Sequence, residues 1–243
     1  NFLIYCRYNF KSIKKIIFNL LIFLISSKFS NYKILTDTKS LVNKLSKKFG
    51  KNRVLLVPVP HTVLASKKDK KLSFNRYDIF FPGQYRDEKF GKNFFNFIKL
   101  NNDKNYRFLI NKHFKWNRKR NFNLKLLNSE LSHKNYLNFI KNSQLIILPY
   151  DRDLYKYRTS GIFIESIVFG KPVLVTEGTW MATEYKKFNL NEMIVKDWSK
   201  YKLKTNLQNI FNKKTKKKIS NIRNKYKEFH NKYKYTDILQ KSL

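Results

Sequence analysis

The chain has 243 residues, with 52 lysines and arginines against 16 aspartates and glutamates and a formal net charge of +36. Because 42% of its residues are hydrophobic, it can bury a sizeable core, which excludes a globally disordered polyelectrolyte. The lone cysteine, Cys6, excludes an internal disulfide and a cysteine-based metal cluster, and suits a reducing compartment.

Such a charge attracts anions, whether nucleic acid, anionic lipid or phosphorylated small molecules. Lys, Asn, Ile, Phe and Tyr are enriched together, as the codons of an AT-rich genome would produce, so much of the charge is expected to be generic. Its densest runs are Lys67–Lys71, Lys112–Arg120 and Lys213–Lys218. The only methionines are Met181 and Met193, and Asn1 opens inside an apolar stretch. The expectation is a chain whose N-terminal part is missing.

In chain order, Lys11–Ser27 predicts a mostly buried helix. Its apolar run Ile16–Ile25 is well short of the roughly 20 residues that a membrane-spanning helix needs. Tyr32–Thr36 predicts a short strand, Thr38–Phe49 an amphipathic helix stopped by Gly50, and Arg53–Val57 a buried strand. The polar stretch Ala65–Arg76 predicts a linker between a first unit, residues 1–64, and a second, residues 77–243. In the second unit, strands are expected at Tyr77–Phe81, Tyr106–Ile110, Leu124–Leu127, Leu145–Leu148, Val173–Thr176 and Met193–Val195. Helices are expected at Lys92–Leu100, from an N-cap at Ser132 through Lys141, at Ser160–Phe169, at Trp180–Phe188, and as two basic C-terminal segments. Alternating strands and helices, with strands apolar on both faces, predict an α/β fold. The expected form is a Rossmann-like parallel sheet covered on both sides, preceded by the tail of a second such unit.

The segment "YRTSGIFIESIVFGKPVLVTEGTW" (Tyr157–Trp180) carries the chemistry. In open parallel sheets, ligands bind beyond the carboxyl ends of the strands. Ser160 and Gly161 place a small residue and a bare backbone at a helix N-terminus there, where free N–H groups and the helix dipole favour an anion. Glu165 sits within the apolar run of that helix and needs a partner. A capping box requires the acid three residues after the cap, and Glu165 comes five after Ser160. Two accounts remain: a buried salt bridge to a lysine or arginine, or the hydroxyls of a ligand.

The stretches Leu148–Trp180 and "FFPGQYRDEKFG" (Phe80–Gly91) resemble the nucleotide-sugar segment of GT-B glycosyltransferases, in particular the large retaining group called family four. The resemblance implies that Glu165 holds the ribose of a nucleotide diphosphate sugar, and that Arg86 and Lys89 hold its diphosphate. Many family members carry another acid eight positions before that glutamate; this chain has Tyr157 there, followed by Arg158 as a candidate phosphate ligand. The catalytic groups supplied by the N-terminal domain are expected to lie before Asn1. The resemblance implies no metal and no cofactor apart from the donor, a glycan or lipid-linked acceptor, and a cytoplasmic enzyme whose basic surface suits peripheral contact with anionic membranes. The fragment alone is expected to bind nucleotide and turn over poorly.

Asp151-Arg152-Asp153 follows a strand and spells the Asp-x-Asp that holds a divalent cation in the other major glycosyltransferase fold; a solvated loop is the ordinary account. His61 falls at the unit junction, and His113, His133 and His230 in polar or basic contexts. The alternative function is a basic nucleic-acid-binding module without enzymatic activity, using aromatics interleaved with charge, such as His113-Phe114-Lys115-Trp116.

Overall fold

The structure is a computed structural model that describes residues 2–6, 21, 22, 24, 25, 28, 32–61, 77–83, 86, 87, 89, 91–111, 123–128 and 130–242. Its strands fall into two parallel sheets. The first has β1 (Phe2–Tyr5), β2 (Tyr32–Thr36) and β3 (Val54–Leu56) in sequential order, with α1 (Lys39–Phe49) between β2 and β3. The second sheet begins at β4 (Tyr77–Phe80), followed by α2 (Gly91–Leu100), β5 (Tyr106–Asn111), β6 (Leu124–Leu127), α3 (His133–Asn142) and β7 (Leu145–Leu148). It continues with α4 (Gly161–Val168), β8 (Val173–Thr176), α5 (Trp180–Lys186) and β9 (Ile194–Val195). Helices α6 (Leu203–Phe211), α7 (Lys213–Phe229) and α8 (Lys232–Gln240) complete the chain.

The expected strands and helices of the second sheet are present, with ends that move by one or two residues. Two features differ from expectation. The strand β1 was not anticipated, and the C-terminal region has three helices rather than two. Asn212 and Asn231 each cap a new helix there, accepting from Thr215 N–H at 2.7 Å and Lys234 N–H at 2.8 Å. The expected linker 65–76, the basic segment 112–120 and most of the helix expected at 11–27 lie outside the described residues. Among the described residues no helix is long and apolar enough to cross a membrane.

The second sheet has the order β6-β5-β4-β7-β8-β9, the doubly wound arrangement in which the chain starts at the centre, builds one half, then returns to build the other. Its inner strands β7 (LIIL) and β8 (VLVT) are buried at every residue, as strands covered on both faces must be. The Phe163 ring of α4 lies nearly perpendicular to those of Trp180, Tyr185 and Tyr226 at centroid distances of 5.8, 5.1 and 6.1 Å, joining α4 to α5 and α7.

Helix α4 ends in a full Schellman motif. Gly170, at φ +72°, donates to Ile167 O (2.8 Å), and Lys171 donates to Ser166 O (2.9 Å). Arg223 of α7 adds an Nε–H bond to Val168 O at 3.0 Å, so the last turn of α4 is held from outside as well.

The two sheets meet through the C-terminal end of α7. His230 is buried; its Nδ1 accepts from Val59 N–H, and its carbonyl accepts from His61 N–H, each at 3.2 Å. This corrects the polar context read for His230. Burial, reinforced by the neighbouring His61, pushes the His230 imidazole down to about 4 from 6.5. The unfolded chain therefore takes up this proton near 6.5 while the native chain resists it until about 4, so native stability is lost as pH falls through that window. We expect the melting temperature to fall between about pH 7 and about pH 5, and the fall to shrink in His230→Gln. Equal pH slopes for the two proteins in scanning calorimetry would contradict this.

Candidate functional site

The doubly wound order places the candidate site. β4 and β7 lie side by side, and the chain leaves their carboxyl ends toward opposite halves of the sheet, the place where open parallel sheets form a ligand crevice. The loop after β4 carries Gly83, Arg86 and Lys89; the loop after β7 carries Tyr150, Tyr155, Arg158, Thr159 and Ser160. The basic residues singled out from the sequence thus come from two loops about 70 residues apart that the sheet brings to one edge.

These side chains gather around Tyr150, two residues beyond β7 and fully buried. The Lys89 ammonium lies 5.7 Å from the centre of its ring, and the Tyr155 ring packs at 4.4 Å. The Arg158 guanidinium covers the other tyrosine, 4.9 Å from the Tyr155 centroid. Burial, followed by the Tyr155 hydroxyl, pushes the Tyr150 phenol well above its ordinary range, while Ser160, Arg158 and Arg86 oppose the shift. Arg86, Lys89, Arg158 and Ser160 are therefore all neighbours of one neutral phenol. Lys89 N–H donates to Arg86 O at 2.9 Å, which folds the two cations into one turn. Gly83 permits that turn to sit close: its φ is +103°, and a Cβ there would come within 3.1 Å of Ile162 Cδ1 and 3.6 Å of Lys89 Nζ.

Ser160 caps α4, accepting from Phe163 N–H at 3.2 Å. Gly161 follows at the first helical position, and a Cβ added there would meet no atom within 4 Å. Its bareness is not demanded by packing, and it leaves space open before the first-turn amides. Glu165, one turn further, does not meet the lysine or arginine expected of a buried salt bridge among the described residues. It is half-buried and accepts from the Tyr136 hydroxyl of α3 at 2.7 Å, a neutral donor rather than a lysine or arginine. Burial pushes its carboxyl up; Tyr136 and then His133 pull it back.

The first sheet contributes Asp37, at the carboxyl end of β2 and buried. Its Oδ2 accepts from Thr159 Oγ1 at 2.5 Å and from the Tyr5 hydroxyl at 3.3 Å. Lys44 of α1 lies 5.4 Å over the ring of Tyr157. The loop bearing Arg158 and Ser160 is thus braced from the other sheet. Beside it is a cavity of about 370 Å³, with Asp37, Lys39, Trp180, Glu184, Phe229 and His230 in its walls. Of these neighbours, Tyr150, Tyr136, Asp37 and Thr159 were not anticipated; only Tyr150, directly beyond an apolar strand, had a signal that could have pointed to it.

Asp151 closes its own turn, with Oδ1 accepting from Leu154 N–H at 2.8 Å, and Arg152 reaches across to the carbonyl of Glu177 at 3.0 Å. Among the described residues, no three His, Cys, Asp or Glu side chains converge where a cation could sit. We expect Thr159→Val to cost about 1–3 kcal/mol in denaturant unfolding, because it strips a hydrogen bond from a buried carboxylate. Unchanged stability would show that the two sheets are not joined through Asp37.

No protein-family model and no curated protein matches the chain. Solved structures do. A glycosyltransferase from Rickettsia africae is 11% identical, with 99% of this chain aligned to 69% of that one at a TM-score of 0.67. A trehalose-6-phosphate synthase is 11% identical over 99% of this chain and 67% of its own, with a TM-score of 0.62. The glycosyltransferase of kitacinnamycin is 9% identical, with 87% and 55% covered and a TM-score of 0.55. The chain thus spans about two thirds of the length of the first two and little more than half of the third. With its two parallel sheets and the doubly wound order of the second, the chain has the GT-B fold of these glycosyltransferases.

Proposed function

We propose that this chain belongs to a glycosyltransferase that takes a sugar from a nucleotide diphosphate sugar and passes it to a glycan or lipid-linked acceptor. In this reading residues 77–243 bind the donor, residues 1–64 belong to the acceptor side, and the anomeric configuration is retained. The observation that carries the proposal is the gathering of Arg86, Lys89 and Arg158 at the N-terminus of α4, with the Glu165 carboxylate one turn inside it. Transfer breaks the bond between the anomeric carbon and the terminal phosphate oxygen, and the leaving diphosphate gains negative charge. Guanidinium, ammonium and helix-terminal N–H groups stabilise that charge as it forms, which is work a divalent cation would otherwise do. Glu165, one oxygen held by Tyr136, can accept from ribose hydroxyls with the other.

Nothing in the comparisons supports the nucleic-acid-binding alternative, and the stretch His113–Trp116 lies outside the described residues. A cytoplasmic enzyme with a basic surface against anionic lipid remains part of the proposal, because such lipids would present a lipid-linked acceptor.

The test is titration calorimetry of the chain with uridine, guanosine and adenosine diphosphates at about 0.15 M salt, with and without chelator. One nucleotide should bind, chelator should leave its affinity unchanged, and Arg158→Ala or Lys89→Ala should each weaken it about ten- to hundredfold. A strict divalent requirement, or unchanged affinity in both variants, would contradict the proposal.

A further inference from the structure

The geometry points to Tyr136 as a positioning residue that fixes Glu165 for a vicinal diol, a role resting on the ribose reading of Glu165 proposed above. Glu165 lies on α4 and Tyr136 on α3, one crossover apart, and the two are joined by the 2.7 Å bond from the phenol to Oε2. A glutamate side chain has three rotatable bonds, and a diol is accepted well only by a carboxylate already held at one torsion. The phenol supplies that hold without neutralising the charge. A lysine or arginine in its place would form an ion pair with which the ligand's hydroxyls must compete; a neutral donor occupies one oxygen and leaves the anion and its second oxygen to the ligand.

Tyr136 is itself fixed. It sits in the first turns of α3, behind the Ser132 cap, and its ring stacks on His133 at 6.1 Å and 29°. The side chain is half-buried, which limits the hydroxyl's freedom to turn away. Tyr136 and His133 are the titratable groups that act on Glu165, both from α3, and both favour its ionised form. Losing the phenol O–H would therefore loosen the carboxylate and also make it easier to protonate.

The test uses Tyr136→Phe, which keeps the ring and its packing and removes only the donor. Affinities for a nucleoside diphosphate and its 2′,3′-dideoxy analogue are measured by calorimetry for the full chain and the variant, across the acid range. The unaltered chain should prefer the ribonucleotide. Tyr136→Phe should bind the ribonucleotide about tenfold more weakly, with the dideoxy analogue unchanged. Its affinity should also begin to fall at a higher pH on acidification. Equal weakening for both nucleotides, or no weakening, with ribose preference intact in the unaltered chain, would overturn this inference alone. No ribose preference in the unaltered chain would overturn it together with the ribose reading of Glu165.

Discussion

The candidate site depends on the adjacency of β4 and β7. Two strands that follow each other neither in sequence nor by one crossover lie hydrogen-bonded at the centre of the sheet, with register from Ile79 to Leu145. Their outgoing loops cannot follow the same path, so they part, and the gap between them is lined by whatever each loop carries. Here the loops carry arginine, lysine and the start of a helix. In the proposed function, those groups meet the charge of a diphosphate. The arrangement is maintained because its frame is independently stable: β7 and β8 are wholly buried, and α4 is capped at both ends.

Tyr150 is the surface on which two of the cations are arranged. A buried neutral phenol offers a π-face to Lys89 and packs against the Tyr155 ring that Arg158 covers. It holds the two cations on neighbouring rings. The same logic recurs at Glu165, where a phenol rather than a cation steadies the charge. At Thr159, the hydroxyl donates to Asp37 and binds the loop bearing Arg158 and Ser160 to the other sheet. In each case a neutral side chain contacts and helps to position a charged one.

Much of the frame was legible in the sequence because its signals are local. Short apolar runs such as Leu145–Leu148 and Val173–Thr176, rich in β-branched residues and bounded by proline or glycine, read as strands in a covered sheet, and Thr38, Ser132, Ser160, Gly50 and Gly170 mark helix ends by chemistry within a few residues. Arg86, Lys89, Arg158 and Glu165 were recognisable as a pattern, but their partners were not. Tyr136 and Glu165 are 29 positions apart, and Asp37 and Thr159 are 122, so only the fold brings them together. His230 stands in a polar, lysine-rich context in the sequence; its burial arises because α7 ends against the first sheet. The third C-terminal helix was hidden because its boundaries are asparagine caps inside a run of lysines, where apolar periodicity is weak.

The central claim is that the crevice between the β4 and β7 loops is an anion site built for a diphosphate, with the ribose directed at Glu165. A crystal structure of the chain soaked with the nucleoside diphosphate it binds best tests this most directly. The account predicts phosphate density in front of the Ser160–Gly161 amides, within reach of Arg86, Lys89 and Arg158, and ribose oxygens on Glu165. Density for the nucleotide in the cavity between Asp37 and Phe229 instead, with the β4–β7 crevice empty, would contradict it.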